Sequence, residues 1–451
     1  MRYIPHTADD KAKMLEAIGV ASIDELFRAI PADLQLGRPL ALPSGMAESD
    51  LRAHLRTLAE QNVAMGRAAL HFLGAGTYRH YIPCAVSQLL LRGELYTAYT
   101  PYQPEIAQGT LQIIFEFQTM VSELLGIEVV NASMYDGATA LAEAALMALR
   151  CQRNKPARII VAKTIHPQYR DVTRLFVESA DAAIVETPWG ADGTADLAAI
   201  ERELVEGAAA VCLGYPNFFG GFDDLAAARK LCDAHGAMLI ATFTEAVAFG
   251  LVTPPGALGA DIIAGEGQSL GVWAQNGGPH LGLFGTREKF LRQMPGRLAG
   301  ESVDTRGNRA FVLTMSTREQ HIRREKATSN ICTNVALMAT AATIAMTLTG
   351  PDGLATVARA SHLRAEEAKA ALTKLPGFAA LFGGPTFNEF VVRTPIPAEQ
   401  LVDRLAAQRI APGLALGTFD AALDHALLVT ATELTTSDEI ARLAEALAAA
   451  V

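Results

Sequence analysis

Several things this chain lacks narrow its class before any motif is read. Its five cysteines, Cys84, Cys151, Cys212, Cys232 and Cys332, are scattered, odd in number and form no C-x-x-C pair. That excludes a disulfide framework and argues against a zinc site; the expectation is reduced, buried thiols in the cytoplasm. An excess of positive charge is also missing, with 38 Lys and Arg against 48 Asp and Glu, a formal charge of −10. Nucleic acid is therefore not an expected partner, because phosphate binding needs clustered basic residues. The first residues, Met1-Arg2-Tyr3-Ile4-Pro5-His6, lack the apolar core of a signal peptide. The most apolar stretch, Val335 to Leu348, is broken by Thr340, Thr343 and Thr347 and is too short to span a bilayer. It reads as a buried helix, apolar on most faces. There is no short-period repeat and no low-complexity linker. Finally, no lysine occurs from Leu231 to Glu288.

What is present is a long and apolar chain. Its 451 residues are 50% hydrophobic, and the mean hydropathy is +0.20. That is enough for a large core and two or three domains, with subunit interfaces to absorb the excess apolar surface.

Residues 1 to about 70 read as helices joined by Pro-containing turns. Ser22 and Glu25 have capping-box spacing, and Glu48 to Leu70 carries apolar residues at helical spacing. Two aromatic loops follow, Gly74 to Pro83 and Tyr96 to Glu105. From Gln108 the pattern alternates. A helix to Leu125 precedes a short strand at Ile127–Val130, and an Ala-rich helix runs from Tyr135-Asp136-Gly137 to Arg150. Apolar strands follow at Arg158–Ala162, Ala183–Glu186, Ala209–Gly214, Met238–Thr242 and Asp261–Ala264. Near-continuous apolar strands separated by helices imply a mostly parallel sheet covered on both faces. Beyond Lys326 come a buried helix, a turn at Gly350-Pro351, a helix from Gly353 to Leu375, and strands near Asn388–Arg393 and Ala426–Thr430. The expected division is an N-terminal helical arm with cleft loops over 1–95, a large α/β domain over 96–325 and a smaller α+β domain over 326–451.

This layout is that of a pyridoxal-phosphate (PLP) transferase-like enzyme of fold type I. In that layout the Tyr135-Asp136-Gly137-Ala138-Thr139 junction faces the cofactor phosphate with backbone N–H groups and a helix dipole. An ordinary helix start explains the same residues equally well. The Schiff-base lysine belongs after the strand at Asp261–Ala264, where the chain offers Gln268, whose amide cannot form an imine. The acid that keeps the pyridine nitrogen protonated belongs at the end of the Met238–Thr242 strand. Ala241 and Thr242 stand there, and Glu245 reads as a solvated or hydrogen-bonded loop residue. Thr328-Ser329-Asn330 reads as an N-cap cluster before the buried helix. The charged run Arg318 to Lys326 reads as a salt-bridged exposed face. The aromatic loops, with Tyr78, Arg79, Tyr99, Tyr102 and Glu105, line a cleft or form an interface belt, or do both.

With these segments in view, the chain resembles the α subunit (subunit 1) of glycine decarboxylase, the P-protein of the glycine cleavage system. The resemblance rests on Phe72 to Tyr78, Tyr99 to Glu105, Gly277-Gly278-Pro279-His280, Met294-Pro295-Gly296-Arg297 and, most specifically, Thr317 to Cys332. It implies a glycine dehydrogenase (aminomethyl-transferring) activity exercised as part of an α/β complex. The β subunit would carry PLP on a lysine, and α2β2 would be the assembly. Glycine would be decarboxylated and its aminomethyl group passed to the lipoyl arm of H-protein. This chain would hold no cofactor covalently, with Gln268 at the lysine position. Thr328, Ser329 and Asn330 would reach the partner's PLP phosphate, and Tyr78, Arg79, Tyr99, Tyr102 and Glu105 would shape the channel. Two rivals stay open. One is a self-sufficient PLP lyase or desulfurase using another lysine, such as Lys163 or Lys326, against which the missing acid counts. The other is a purely structural or regulatory subunit.

Overall fold

The computed structural model describes residues 5–62, 69–275 and 277–451. Its contacts divide the chain into two units, Met1–Val63 and Ala64–Val451.

In the first unit, helix Ala8–Ile18 starts at a reciprocal box between Thr7 and Asp10 and stops at the left-handed Gly19. Ser22 accepts the Glu25 N–H at 3.4 Å, but Glu25 returns to the N–H of Ala21 rather than of Ser22. The result is a single 3-10 turn, Asp24–Phe27. Helix Glu48–Glu60 is shorter than its apolar spacing suggested. Residues 63–68 of that segment lie outside the described residues, and Leu70 is in a strand paired in parallel with Ile410. Neither α-helix of this unit has a buried residue.

The second unit is built on a seven-stranded sheet among the described residues. Its order is Val129–Val130, Gly282–Thr286, Ile262–Glu266, Met238–Phe243, Ala210–Gly214, Arg158–Ala162 and Ala183–Thr187. The last five are mutually parallel, and Gly282–Thr286 runs antiparallel to both its neighbours. Alternating side chains serve opposite faces. Ile160, Val211, Leu239 and Ile263 pack with Phe117, Val121 and Leu125 of helix Gln108–Leu125. Ile159, Ala210, Ile240 and Ile262 pack with Leu141, Ala144 and Ala148 of helix Gly137–Cys151. Each fully buried Leu, Ile or Phe contributes about 1.5–3 kcal/mol, so both faces are strongly held.

The Val335–Leu348 segment forms a helix from Ala336, buried from Met338 to Thr343 and at Ala345 but exposed at Thr347 and Leu348. Thr340, Thr343 and Thr347 fit its apolar surroundings by donating their hydroxyls to the carbonyls one turn earlier. Helix Ala336–Leu372 breaks at Gly350, where φ is 62°. Its first part joins the large sheet's core through Met338 and Ala342. Its last turns, Ala365 to Leu372, pack beneath an antiparallel sheet of Ala379–Ala380, Glu389–Arg393, Ala426–Thr430 and Leu414–Ala415. Of the cysteines, Cys212 and Cys232 are buried, whereas Cys84 and Cys332 are exposed, against the expectation. No helix among the described residues is long and apolar enough to cross a membrane.

Candidate functional site

Parallel α/β sheets bind ligands beyond the carboxyl ends of their strands. There the structure places a cleft of about 470 Å³, lined by residues that include Tyr135, Asp136, His166, Tyr169, Glu266 and His280. No lysine lines it among the described residues.

Gln268 opens a 3-10 turn just after strand Ile262–Glu266 and is only 2% exposed. Its amide is fully engaged with backbone. Oε1 accepts the N–H of Tyr78 at 2.8 Å, while Nε2 donates to the carbonyls of Tyr78 at 3.1 Å and Val272 at 2.7 Å. At the position where the sequence leads us to expect a Schiff-base lysine, the glutamine clamps the chain's own loop. The strand Met238–Phe243 supplies no acid either, and the hydroxyl of buried Thr242 has no hydrogen-bond partner.

The Tyr135–Thr139 junction is closed from within. Asp136 accepts the N–H of Thr139 at 2.8 Å as an N-cap. Oε2 of Glu266 accepts the N–H of Gly137 at 3.0 Å. A Cβ on Gly137 would collide with the Tyr169 hydroxyl and the backbone of Glu266, so glycine is required for this approach. Of the two readings of this junction, the ordinary capped start describes the geometry. His166 caps helix Pro167–Glu178 through Nδ1 and bonds the Ala75 carbonyl through Nε2 at 3.1 Å. Burial pushes its pKa down to about 4, so the ring is neutral. The residues present do not fit a lysine-bound PLP.

A second buried polar group lies behind Tyr78. That tyrosine is 1% exposed, so it does not line an open cleft. Its hydroxyl donates to Glu389 at 2.6 Å and meets Thr244 at 2.8 Å. Burial drives the Glu389 pKa up to about 7, even though Ala75, Tyr78 and Thr430 donate to it. His80 stands between Glu245 at 3.0 Å and Glu433 at 2.7 Å. Burial pulls its pKa down, but the two carboxylates override that and hold it at about 10. Of the two expectations for Glu245, hydrogen-bonded rather than solvated is the one that holds: it is a buried partner of His80 and Asn388.

Of the remaining expected residues, Arg79 lies between Tyr78 and His80, and Tyr99, Tyr102 and Glu105 lie on the second aromatic loop. Tyr99 is 73% exposed, Glu105 is exposed, and Arg79 is half-buried. Tyr102 accepts a hydrogen bond from Arg297 at 2.9 Å. Arg297, buried, also donates to Thr100, Thr333, the Cys332 carbonyl and Glu319. The run Arg318 to Lys326 is not wholly an exposed face. Arg318 and Glu319 are buried, with Arg318 donating to the carbonyls of Met294 and Gly296. Nor does Thr328-Ser329-Asn330 cap the buried helix. That helix starts at Ala336, and Ser133 receives the Val335 N–H at 3.2 Å. Ser329 accepts from Ile331 at 3.0 Å in a local turn, and Asn330 is exposed.

The glycine cleavage system P-protein family profile matches residues 1–447. The chain belongs to that family. Its relatives include the probable glycine dehydrogenase (decarboxylating) subunit 1 of Sorangium cellulosum, 48% identical, with 99% of each chain covered. The protein so described from Xanthobacter autotrophicus is 50% identical over 99% of each. A crystal structure of glycine decarboxylase (P-protein) in inhibitor-bound form is 40% identical, with a TM-score of 0.90 over 100% of both chains. A sphingosine-1-phosphate lyase from Burkholderia pseudomallei shares only the fold, at 17% identity and a TM-score of 0.64 over 93% and 94% of the two chains. Family membership confirms the expected resemblance, and the fold is the expected PLP-transferase-like α/β type. Neither Lys163 nor Lys326 lines the cleft, so the self-sufficient lyase or desulfurase is not favoured.

The residues that sequence reasoning missed are Glu266, His280, Glu389 and Glu433. Two of these left a signal: Glu266 is an acid ending an otherwise apolar strand, two residues before the glutamine, and His280 closes the Gly277-Gly278-Pro279-His280 motif.

Proposed function

We propose that this chain is the cofactor-free α subunit of a glycine decarboxylase, working with a PLP-bearing β subunit. Together they decarboxylate glycine and pass its aminomethyl group to the lipoyl arm of H-protein. PLP supplies the electron sink for the lost carboxylate; on this reading it sits in the partner. The observation that carries the proposal is Gln268, which stands at the lysine position with its amide wholly engaged by backbone. Relatives described as subunit 1 support the need for a second subunit. The α2β2 stoichiometry and a cytoplasmic location belong to the same reading.

This chain's part is to complete and shape the site. Tyr99, Tyr102 and Glu105 stand on a loop fixed from below by Arg297. Together with Arg79 they form the channel side of the proposal, and buried Tyr78 holds its loop in place. Thr328, Ser329 and Asn330 are the residues proposed to reach the partner's PLP phosphate. They would do so with side chains from a loop, since no helix starts there. Each hydrogen bond to a charged group is worth about 1.5–3 kcal/mol, so a Thr328→Ala, Asn330→Ala double variant should weaken PLP retention by the assembled complex tenfold or more. Unchanged retention in a well-folded double variant rejects that contact. Carbon dioxide exchange with glycine in the presence of H-protein tests the whole. The α/β mixture should turn over and this chain alone should not. Turnover by the purified chain alone refutes the proposal.

A further inference from the structure

We infer that Glu266 is this chain's built-in substitute for a cofactor phosphate, its carboxylate filling the anion seat at the head of helix Gly137–Cys151 and keeping phosphorylated ligands out of the cleft. The inference rests on the cofactor-free reading and adds a physical cause to it. Loss of the lysine removes only the covalent bond. A phosphate could still be held by the helix start, whose free N–H groups and dipole favour an anion.

The structure shows that seat taken. Glu266 is 1% exposed, and its two oxygens divide the work. Oε1 accepts the N–H of Gln268 and of Leu281, both at 2.9 Å, which pins the chain's own loop. Oε2 faces outward from that loop. It accepts the N–H of Gly137, the first residue of the helix, at 3.0 Å and lies 3.3 Å from Nδ1 of His280. A helix N-terminus and an imidazole converging on one oxygen make a phosphate-like environment, here satisfied by a carboxylate. Asp136 closes the next turn by accepting from Thr139. A phosphate entering the cleft would meet two fixed carboxylates and find the Gly137 donor already used. Its attraction to the helix end would be offset by repulsion at short range in a partly buried site.

The two oxygens also separate this role from simple loop pinning. Glu266→Gln keeps an oxygen for Gln268 and Leu281 but places an uncharged N–H₂ toward Gly137 and His280. Glu266→Ala empties the seat and removes the pin. Each full-length variant, and the wild-type chain, is titrated by calorimetry with inorganic phosphate and separately with PLP, with melting curves in parallel. The wild type should take up neither saturably. Both variants should gain at least tenfold in affinity for phosphate and for PLP, and phosphate should raise their melting temperatures but not that of the wild type. Should a variant fail to fold, its refolding from urea is compared with and without phosphate, and rescue by phosphate is the expected result. Folded variants with no gain, or absent rescue, overturn the inference and leave Glu266 as a loop pin. Saturable PLP uptake by the wild type instead overturns the cofactor-free reading itself, so the two failures are distinguishable.

Discussion

Around the cleft, the side chains of Gln268, Glu266 and Tyr78 direct their polar atoms at this chain's own backbone or at each other's neighbours. Along the loops at Tyr99–Glu105 and Arg323–Asn330, by contrast, Tyr99, Glu105, Arg323, Arg324 and Asn330 stand exposed. Satisfied buried networks rigidify and have nothing left to offer a ligand. Exposed tyrosine and arginine are the residue types that interfaces favour. At the carboxyl edge of the sheet the cleft remains, but the polar side chains of Gln268 and Glu266 beside it are engaged within the chain, whereas the loop residues stand exposed. On the proposed reading, the difference puts this chain's contribution at a surface shared with the partner rather than in a pocket of its own.

The largest effect should come from removing the footing of the open side. Arg297→Met takes from buried Glu319 its close partner, leaving only half-exposed His321 at 3.7 Å, and frees Thr100, Tyr102 and Thr333. Breaking a buried pair from one side costs about 3–5 kcal/mol, so denaturant melting of the isolated chain should show a loss of that order. A loss under about 1 kcal/mol would mean the loops do not depend on this arginine.

On the closed side, His80→Asn should be comparably damaging at neutral pH, and its effect should depend on pH. Its two carboxylate neighbours hold the pKa of folded His80 at about 10, above the ordinary imidazole value of 6.5. Its contribution is thus fully present below 6.5 and lost as pH rises through about 10. Glu389, raised to about 7 from 4.5, acts in the same direction over its own window. Wild-type stability should therefore fall as pH rises from about 4.5 to 10 through these two groups. His80→Asn should flatten the upper part of the profile and Glu389→Gln the lower. Parallel profiles for wild type and His80→Asn would show that His80 is not the charged member of this cluster.

A smaller effect is expected for Gln268→Lys. An ammonium cannot accept the Tyr78 N–H, and an orphaned buried donor costs about 1–3 kcal/mol. The variant should melt earlier and still take up no PLP while Glu266 fills its seat. The smallest effect on stability is predicted for Tyr99→Ala and Glu105→Gln, within about 0.5 kcal/mol as for surface substitutions generally. Their cost should appear instead as reduced carbon dioxide exchange by the α/β complex. Full activity in both variants would remove this loop from the channel.

Most of the large sheet was legible because each strand is a short apolar run between helices; Arg158–Ala162 matches to the residue, as does Ala426–Thr430 in the smaller antiparallel sheet. The antiparallel strand Gly282–Thr286 was not, since Gly-Leu-Phe-Gly-Thr carries weak strand propensity and is held by neighbours on both sides. Gln268 could be read from an absent lysine. What it bonds to could not, because Tyr78 lies 190 residues away in sequence. The cap at Thr328-Ser329-Asn330 was misplaced for a similar reason: the helix starts at Ala336 without a side-chain cap, and the N–H of Val335 just before it goes to the distant Ser133. His80 between Glu245 and Glu433 likewise joins three distant segments. Local pattern reports elements; buried polar pairing across the fold leaves almost no trace in it.

The central claim, that the cofactor is held by the partner and not here, is tested most directly on the assembled α/β complex. The complex is reduced with borohydride in the presence of glycine-free PLP buffer and mapped by peptide mass spectrometry. The account predicts a stoichiometric pyridoxyl-lysine on the partner chain and none on this one. A stoichiometric adduct at Lys163, Lys326 or any other lysine of this chain would contradict it.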